Sequence, residues 1–268
     1  MLLLGLMVFG LAAGIFGALF GLGGGIILVP VLTIVYGLAP AEAAAISLVG
    51  IVATSVGAAS FFIKNEVSNI RLGLLLEIST ALGAICGAML ALFIDGMYVS
   101  LIFVSIIIYS AIRMILNPER NVTVSDGNAE FTYHDTKEGC EIGYNAENKV
   151  TGSIGSYFAG VASSMTGVGG GAIKVPIMNL HMGVPMKAAT ATSSYMIGIT
   201  AFTGAMVYFL GGDVLLEYAA AISVAAFIGA VIGSRAAMRT KNAGLQRYFS
   251  IFMFFIAGLV LLNIGGVI

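Results

Sequence analysis

Charged residues are scarce in this chain. Its 268 residues include 12 Lys and Arg and 13 Asp and Glu, a charged fraction of 9%, whereas 59% of the residues are hydrophobic. A soluble domain carries about 25% charged residues, so the composition excludes that class and predicts a protein of the lipid bilayer. The formal net charge of −1 gives no attraction for a polyanion, and we expect no nucleic-acid partner.

Cysteine is nearly absent too, and the reactive residues form no catalytic set. Cys86 and Cys140 are too few and too far apart for a disulfide framework. The apolar stretches contain no H-E-x-x-H sequence and no pair of aspartates. The spacing of His134, Asp135 and Cys140 matches no standard metal site. We therefore expect neither an enzyme nor a bound metal or cofactor.

What the chain does contain is one unusual segment that occurs twice. Residues 14–30 read GIFGALFGLGGGIILVP, and residues 160–176 read GVASSMTGVGGGAIKVP. The two segments are 146 positions apart and agree at eight of 17 positions, among them four glycines of the run and the proline. Agreement at a fixed offset indicates two copies of one unit. In a membrane protein, matching helix breaks in two repeats are the best sequence indication of a transport site.

Each half contains five apolar stretches, of which the second is too short to cross a bilayer. A spanning helix needs about 20 residues, whereas the 14 residues of this stretch in the first half reach only about 21 Å. We predict an all-α polytopic membrane protein in which the first two stretches of each half form a broken or re-entrant hairpin, with the glycine run near its tip. The stretches are 2–20, 26–39, 43–63, 72–94 and 97–116, then 152–166, 172–182, 188–210, 214–238 and 246–264.

The soluble part of the chain lies between the two halves. Residues 117–150 carry seven acidic and three basic residues, and we expect a linker with a small hairpin there. The predicted domains are a first transmembrane repeat (1–116), a soluble cytoplasmic linker (117–150) and a second transmembrane repeat (151–268).

Basic residues indicate which loops face the cytoplasm. Lys64 and Arg71 flank the loop between the third and fourth stretches, whereas the equivalent loop of the second half carries Asp213 and Glu217. The next loop reverses this pattern, with Asp95 in the first half and basic residues in the second: Arg239, Lys241 and Arg247. Equivalent loops should therefore lie on opposite sides. This predicts inverted-topology repeats in the cell membrane, with both termini outside the cytoplasm.

Inverted repeats would bring the two glycine runs toward the bilayer midplane from opposite faces. A helix should start after each run, near Gly25 and Gly171, and a helix N-terminus presents unpaired N–H groups and about half a positive charge. Two such ends directed at one point predict a binding site for a small anion, which glycine allows the backbone to approach closely. The substrate-binding glycines predicted on this basis are Gly21, Gly23, Gly24, Gly25, Gly167, Gly169, Gly170 and Gly171.

Three side chains are added to this predicted site. Lys174 follows the second run where the first half has Leu28, and an ionisable residue at membrane depth is a functional candidate by default. Ser47 and Ser193 occupy equivalent positions and offer hydroxyl donors to an oxyanion. Glu77, in the fourth stretch, is either a carrier of a coupled proton or a residue of the membrane interface, and the sequence leaves both open.

The same offset relates two pairs of glycines outside the runs. Gly83 corresponds to Gly229, and Gly87 corresponds to Gly233. Glycines spaced four apart let membrane helices approach closely, so we expect a packing role for these four residues.

The doubled motif G-x-G-G-G-x-x-x-V-P, present as GLGGGIILVP and GVGGGAIKVP, resembles the sulfite exporter TauE/SafE family, also called the DUF81 membrane transporters. This resemblance implies a transporter of sulfur-containing anions, such as sulfite or organosulfonates, in a bacterial or archaeal cytoplasmic membrane. We therefore expect a secondary transporter that works by alternating access. The alternative is an anion channel, or a carrier for a non-sulfur anion or a carboxylate. The coupling proton or ion, the direction of transport and the oligomeric state are left open.

Thiol labelling tests the predicted orientation. In a chain freed of its two native cysteines, single cysteines at Gly96 and Gly212 should react with a membrane-impermeant reagent on intact cells. Cysteines at Asn69, Gly127 and Asn242 should react only after permeabilisation, because positive residues hold their loops inside. Labelling of the Asn69 and Gly212 positions from the same side would mean parallel repeats, which could not supply two opposed helix ends.

Overall fold

The computed structural model describes residues 2–90, 96–117, 129–135, 139–166, 169–211 and 214–264, and its helices follow the predicted stretches closely. The first half contains α1 (Leu2–Phe20), α2 (Gly25–Pro30) with a π-helical continuation (Val31–Val35), α3 (Pro40–Lys64), α4 (Ile70–Leu90) and α5 (Gly96–Leu116). The linker contributes an antiparallel hairpin of β1 (Phe131–Asp135) and β2 (Cys140–Tyr144). The second half contains α6 (Lys149–Thr166), α7 (Gly171–Pro176) with a π-helical continuation (Ile177–His181), α8 (Met186–Gly211), α9 (Leu216–Arg239) and α10 (Asn242–Ile264).

The described chain is an all-α, multi-pass membrane protein apart from this small hairpin. Six helices are long and apolar enough to span a bilayer. Large apolar side chains stand exposed on the outward faces of α4 and α9, as lipid contact requires: Leu74, Ile78, Leu82, Val224, Phe227 and Ile232. Hydroxyl groups and several charges are buried instead. This distribution suits hydrocarbon surroundings, in which polar groups must be satisfied inside the protein.

Each half begins with a re-entrant hairpin, as predicted. A side chain at Gly5, early in α1, would collide with the hydroxyl of Tyr36 at the end of the first π-helical continuation. A side chain at Gly17 would collide with the backbone of Gly24. α1 and α2 are therefore antiparallel, with the glycine run as the tip between them. The same arrangement recurs between α6 and α7.

The proline of each motif marks a change of helix type. Pro30 has no N–H to donate to the carbonyl oxygen four residues back, and the helix widens after it. Tyr36 N–H donates to Val31 O at 3.3 Å, five residues back. Pro176 precedes the equivalent π-helical continuation in the second half. The break in the helix itself is made by the glycines.

Contacts made at glycines define the helix directions. Leu48 of α3 lies beside Gly204 of α8, and Ser55 lies beside Gly198, so these two equivalent helices are antiparallel. Contacts of the same kind make α1, α3 and α9 parallel to one another, and α4, α6 and α8 parallel to one another in the opposite direction. Equivalent helices thus point in opposite directions, as inverted halves require. The membrane side that each end faces stays a prediction.

Close backbone approach joins α1 to α9 and α4 to α6. A Cβ at Gly229 would overlap the carbonyl group of Leu11, and one at Gly233 would overlap the carbonyl group one turn further along α1. Gly83 and Gly87 meet the backbone of α6 in the same way. The predicted packing role of these four glycines is confirmed. Such contact is a main source of attraction between helices in lipid.

The linker hairpin is docked on the ends of several helices. Lys187, at the start of α8, donates to both carboxylate oxygens of Asp135 at 2.8 Å, and both side chains are buried. Two further hydrogen bonds hold the hairpin. Asn242, at the start of α10, donates to the Tyr133 hydroxyl at 2.8 Å, and Asn69, just before α4, donates to the Tyr144 hydroxyl at 3.0 Å. Burial raises the pKa of Tyr144 to about 12, so this hydroxyl stays protonated at physiological pH. The hairpin thus ties together three chain segments whose basic residues predict the cytoplasmic side.

A leucine at Gly229 should disrupt the bundle, because its side chain would overlap the backbone of α1. Overpacking of this kind should cost about 3 kcal/mol or more, measured by thermal melting and gel filtration of the detergent-solubilised protein. Gly258→Leu is the matched control, since nothing lies within 4 Å of a Cβ at that glycine of α10. Equal melting temperatures for the two variants would contradict the packing role.

Candidate functional site

The two glycine runs meet inside the protein. A side chain at Gly171 would overlap the carbonyl oxygen of Gly21, and its Cβ would lie 2.9 Å from Leu22 Cα. Ile51 and Ile197, each near the middle of its helix, pack on the same runs from α3 and α8. The tips of both re-entrant hairpins therefore come together at mid-length of the two central helices.

The glycines at the tips adopt backbone conformations that other residues avoid. The φ angle is 79° at Gly23, 85° at Gly24, 87° at Gly169 and 47° at Gly170. These values lie in the left-handed region, which glycine occupies without the cost that a Cβ imposes. Gly167, which belongs to the same predicted set, lies outside the described residues.

A helix starts directly after each run, as predicted. α2 begins at Gly25 and α7 at Gly171, and with its π-helical continuation the first of these extends from Gly25 to Val35. The carbonyl oxygen of Gly24 accepts the first bonds of the helix, as does that of Gly170 in the second half. The N–H groups at the start of a helix have no acceptor within that helix, although the N–H of Gly171 donates to the carbonyl oxygen of Gly169. Both helix starts thus present donors where the runs meet.

Buried hydroxyls surround this meeting point. Ser193 donates to the carbonyl oxygen of Gly21 at 2.8 Å. Its equivalent, Ser47, lies one turn before Ile51, on the face of α3 that packs on the runs. The Ser47 hydroxyl is fully buried and has no hydrogen-bond partner among the described residues, and the same is true of Thr190, whose backbone adjoins Gly21. Two buried hydroxyls are therefore available to a ligand, of which the sequence analysis had selected only Ser47.

Lys174 is buried beside the second run and forms an ion pair there. Its Nζ donates to Glu77 Oε2 at 3.0 Å and to Thr200 Oγ1 at 3.2 Å, while the Thr200 hydroxyl donates to Glu77 Oε1. Lys174 is 1% exposed and Glu77 4% exposed. The Lys174 stem lies against Gly170. Glu77 is therefore a residue of the bundle interior, paired with Lys174 and not with Arg71.

This charged cluster joins the two repeats, because Glu77 belongs to the first half and Lys174 and Thr200 belong to the second. At the offset of 146 residues, the equivalents of Lys174, Glu77 and Thr200 are Leu28, Ser223 and Thr54. Leu28 belongs to an apolar cluster, and Thr54 bonds back to its own helix at 3.0 Å. Ser223 has a buried hydroxyl without a hydrogen-bond partner in the described part of the chain. The buried ion pair between the repeats thus has no charged counterpart at the equivalent positions.

The site offers an anion several hydrogen-bond donors and one positive charge. The donors are backbone N–H groups, two unpartnered hydroxyls and the ammonium of Lys174, which Glu77 neutralises here. Within the described ranges, no three His, Cys, Asp or Glu residues lie close enough together to hold a metal ion. A buried ion pair is stable as a unit, since losing one partner leaves an uncompensated charge in a low dielectric.

Paired re-entrant hairpins that gather polar groups inside a helical bundle are the architecture of a membrane transporter. Residues 6–260 match the family described as Sulfite exporter TauE/SafE. The chain belongs to this family, and the resemblance carried by the doubled glycine motif is confirmed.

Proteins similar to this chain carry transporter names. The "Probable membrane transporter protein YunE" of Bacillus subtilis (strain 168) is 30% identical over 258 residues, which cover 88% of this chain and 90% of the relative. A "Probable membrane transporter protein" of Haemophilus influenzae is 24% identical over 280 residues, which cover 94% and 95%. No solved structure matches the chain. The protein is a membrane transporter of the TauE/SafE type.

Removal of one charge of the buried pair should destabilise the protein more than removal of both. Lys174→Met and Glu77→Leu each leave an unpaired charge, with an expected loss of about 3 kcal/mol. The double variant should recover most of this loss. Thermal melting of the four proteins in detergent measures the coupling, and Lys64→Met, at an exposed position, serves as the control. Simply additive losses would contradict a direct pair.

Proposed function

We propose that this protein is a secondary transporter that moves a small sulfur-containing anion, sulfite or an organosulfonate, across the cytoplasmic membrane by alternating access. The observation that carries the proposal is the contact between the two glycine runs. Around that contact lie two helix starts, two unpartnered hydroxyls and the ammonium of Lys174. All of these are donors, which suit the oxygen atoms of a sulfite or sulfonate group. The description of the family supplies sulfite as the substrate class.

The proposed substrate site combines backbone and side-chain donors. The backbone of the runs contributes through Gly21, Gly23, Gly24 and Gly25 and through Gly169, Gly170 and Gly171. The hydroxyls are those of Ser47, Ser193 and Thr190, and the positive charge is that of Lys174. Ser193 donates to Gly21 in this structure, so its hydroxyl must turn away from that carbonyl oxygen to reach a ligand.

Alternating access is supported by the opposite directions of equivalent helices. Each re-entrant hairpin reaches the centre from its own end of the bundle, so displacement of one hairpin would open the site to one side only. The backbone contact between the runs closes the centre in this structure. A closed centre favours a carrier over an anion channel, in which the runs would have to stand apart.

The same features support a cytoplasmic membrane location with both termini outside. The docked linker hairpin, Lys64, Arg71 and Lys241 all lie at one end of the bundle. Basic loops stay on the cytoplasmic side. Because α1 starts and α10 ends away from that end, both termini would then face the outside.

Uptake into proteoliposomes tests the substrate class. Sulfite, isethionate and sulfoacetate should be taken up with saturation, whereas acetate and nitrate should be taken up slowly or not at all. Uptake confined to acetate or nitrate would instead establish the carrier for non-sulfur anions. Flux that rises in proportion to concentration, without saturation, would establish a channel.

Lys174→Ala should weaken the apparent affinity for the transported anion by about 10- to 100-fold, since a hydrogen bond to a charged group contributes about 1.5 to 3 kcal/mol. Lys174→Arg keeps the charge and should lose less. Lys64→Ala, at an exposed position, is the matched control and should transport normally. Half-saturation concentrations for the variants that remain folded at the assay temperature provide the measurement. If Ala and Arg variants both matched the wild type, Lys174 would have no part in binding.

A further inference from the structure

The ammonium of Lys174 already has a negatively charged partner, so any anion that enters must compete with that partner for the ammonium. Lys174 Nζ is bound by Glu77 Oε2 at 3.0 Å and by the Thr200 hydroxyl at 3.2 Å. The three groups are almost fully buried. An ammonium has three N–H donors, and two are occupied here, so an anion can approach through the third and then replace the Glu77 carboxylate as the partner of the positive charge. The replaced carboxylate would stay in the bundle interior, beside a second negative charge.

Resting on the proposed function, we propose that the anion and Glu77 compete for Lys174, and that Glu77 takes up a proton as the anion binds. One O–H bond forms, on a Glu77 carboxylate oxygen, with a proton from water on the side from which the anion enters. The bond that breaks is an O–H bond of a hydronium ion in that water, and no other covalent bond is made or broken. When the anion leaves on the opposite side, Glu77 releases the proton there and pairs with Lys174 again. One proton thus accompanies each anion in the same direction.

Thr200 is placed to serve both states of the carboxyl group. Its hydroxyl accepts a hydrogen bond from Lys174 and donates one to Glu77 Oε1 in the ion pair. Since a hydroxyl both donates and accepts, the same group can accept a hydrogen bond from the protonated carboxyl once Lys174 has turned to the anion. Thr200 is therefore a positioning residue. The protonated Glu77 would keep a partner and carry no charge.

The net charge of the site favours protonation of Glu77 over displacement of an ionised Glu77 carboxylate by the anion. The empty site holds one positive and one negative charge. The site with a monoanion and a protonated Glu77 again sums to zero, whereas an ionised Glu77 would leave a net negative charge in a low dielectric, which costs several kcal/mol per ion. The pair occurs once, between the two repeats, since Leu28 and Ser223 stand at the equivalent positions. The two repeats together therefore supply a single proton carrier.

The other ionisable groups on the elements packed around Glu77 have different partners. Lys149 of α6 pairs with Glu130, and Lys187 of α8 pairs with Asp135. Arg71, on α4 itself, is exposed at the start of that helix. The remaining groups are neutral side chains: Cys86 of α4, Tyr157 of α6, and Tyr195 and Tyr208 of α8. Among the described residues, Lys174 alone makes a salt bridge with Glu77.

Proteoliposomes that enclose a pH-sensitive dye test the proposal directly. The probe is radiolabelled isethionate, which remains a monoanion at every pH used, whereas sulfite itself changes protonation state. Wild-type uptake should carry about one proton per anion into the vesicle and should not respond to an imposed membrane potential, because the loaded and empty sites are both neutral. Where Glu77 is ionised in the empty site, apparent affinity should fall about tenfold for each unit of rising pH.

Glu77→Gln separates coupling from binding. This variant keeps an amide that Thr200 and Lys174 can contact, so isethionate exchange between the two sides should persist, while proton movement and the pH dependence are lost. Its transport should also become sensitive to membrane potential, because the empty site now carries an unpaired Lys174. Glu217→Gln, in the exposed first turn of α9, is the matched control and should behave as the wild type.

The outcomes separate this proposal from the proposed function. Wild-type uptake of isethionate without proton movement overturns the coupling by Glu77 and leaves the anion transporter standing. Proton movement that survives in a folded Glu77→Gln protein overturns it as well. If Glu77→Gln does not fold, the wild-type proton count and its response to membrane potential decide alone. Transport of no sulfur-containing anion by the wild type overturns both proposals.

Discussion

Backbone contact between the glycine runs is the interaction on which the rest of the structure depends. Gly21 and Gly171 approach so closely that a single Cβ would separate them. The contact brings together the tips of two hairpins that belong to opposite-running halves. It also determines where the two helix starts, at Gly25 and Gly171, lie inside the bundle. The closed centre follows from this approach, and the proposed anion site and the proposed movement of the hairpins depend on it.

The protein contains two buried lysine–carboxylate ion pairs, and they differ in their surroundings. Lys187 is held by both oxygens of Asp135, which comes from the linker hairpin, so this pair ties a soluble element to the ends of the helices. Lys174 is held by a single oxygen of Glu77 and shares a hydroxyl with it. Because breaking a buried pair is costly, the pair at the glycine run can open only when another anion replaces the Glu77 carboxylate. A small anion is such a replacement, whereas nothing of this kind is needed at Lys187.

Much of the architecture could be predicted from the sequence, because the lengths of the apolar stretches and the positions of the glycine runs determine it. The short second stretch and the run before Gly25 and Gly171 predicted the re-entrant hairpins, and α2 and α7 start at those residues. The glycine pairs that include Gly83 and Gly229 predicted close helix contacts, which the structure confirms. The partner of Lys174 was not predictable. Glu77 is 97 residues away in the chain, and only the tertiary packing of α4, α7 and α8 brings the two side chains together.

Thr200 was missed, and Thr190 was not selected beside Ser47 and Ser193, since hydroxyls are frequent in membrane helices and usually bond to their own backbone. The central claim is that a sulfur oxyanion binds where the glycine runs meet, next to Lys174. Anomalous X-ray diffraction from crystals grown with selenite, a heavier analogue of sulfite, tests it most directly. The account predicts one selenium peak between the two runs, within hydrogen-bonding reach of Lys174 Nζ, with Glu77 turned away from the ammonium. A peak elsewhere, with the Lys174–Glu77 pair intact, would contradict it.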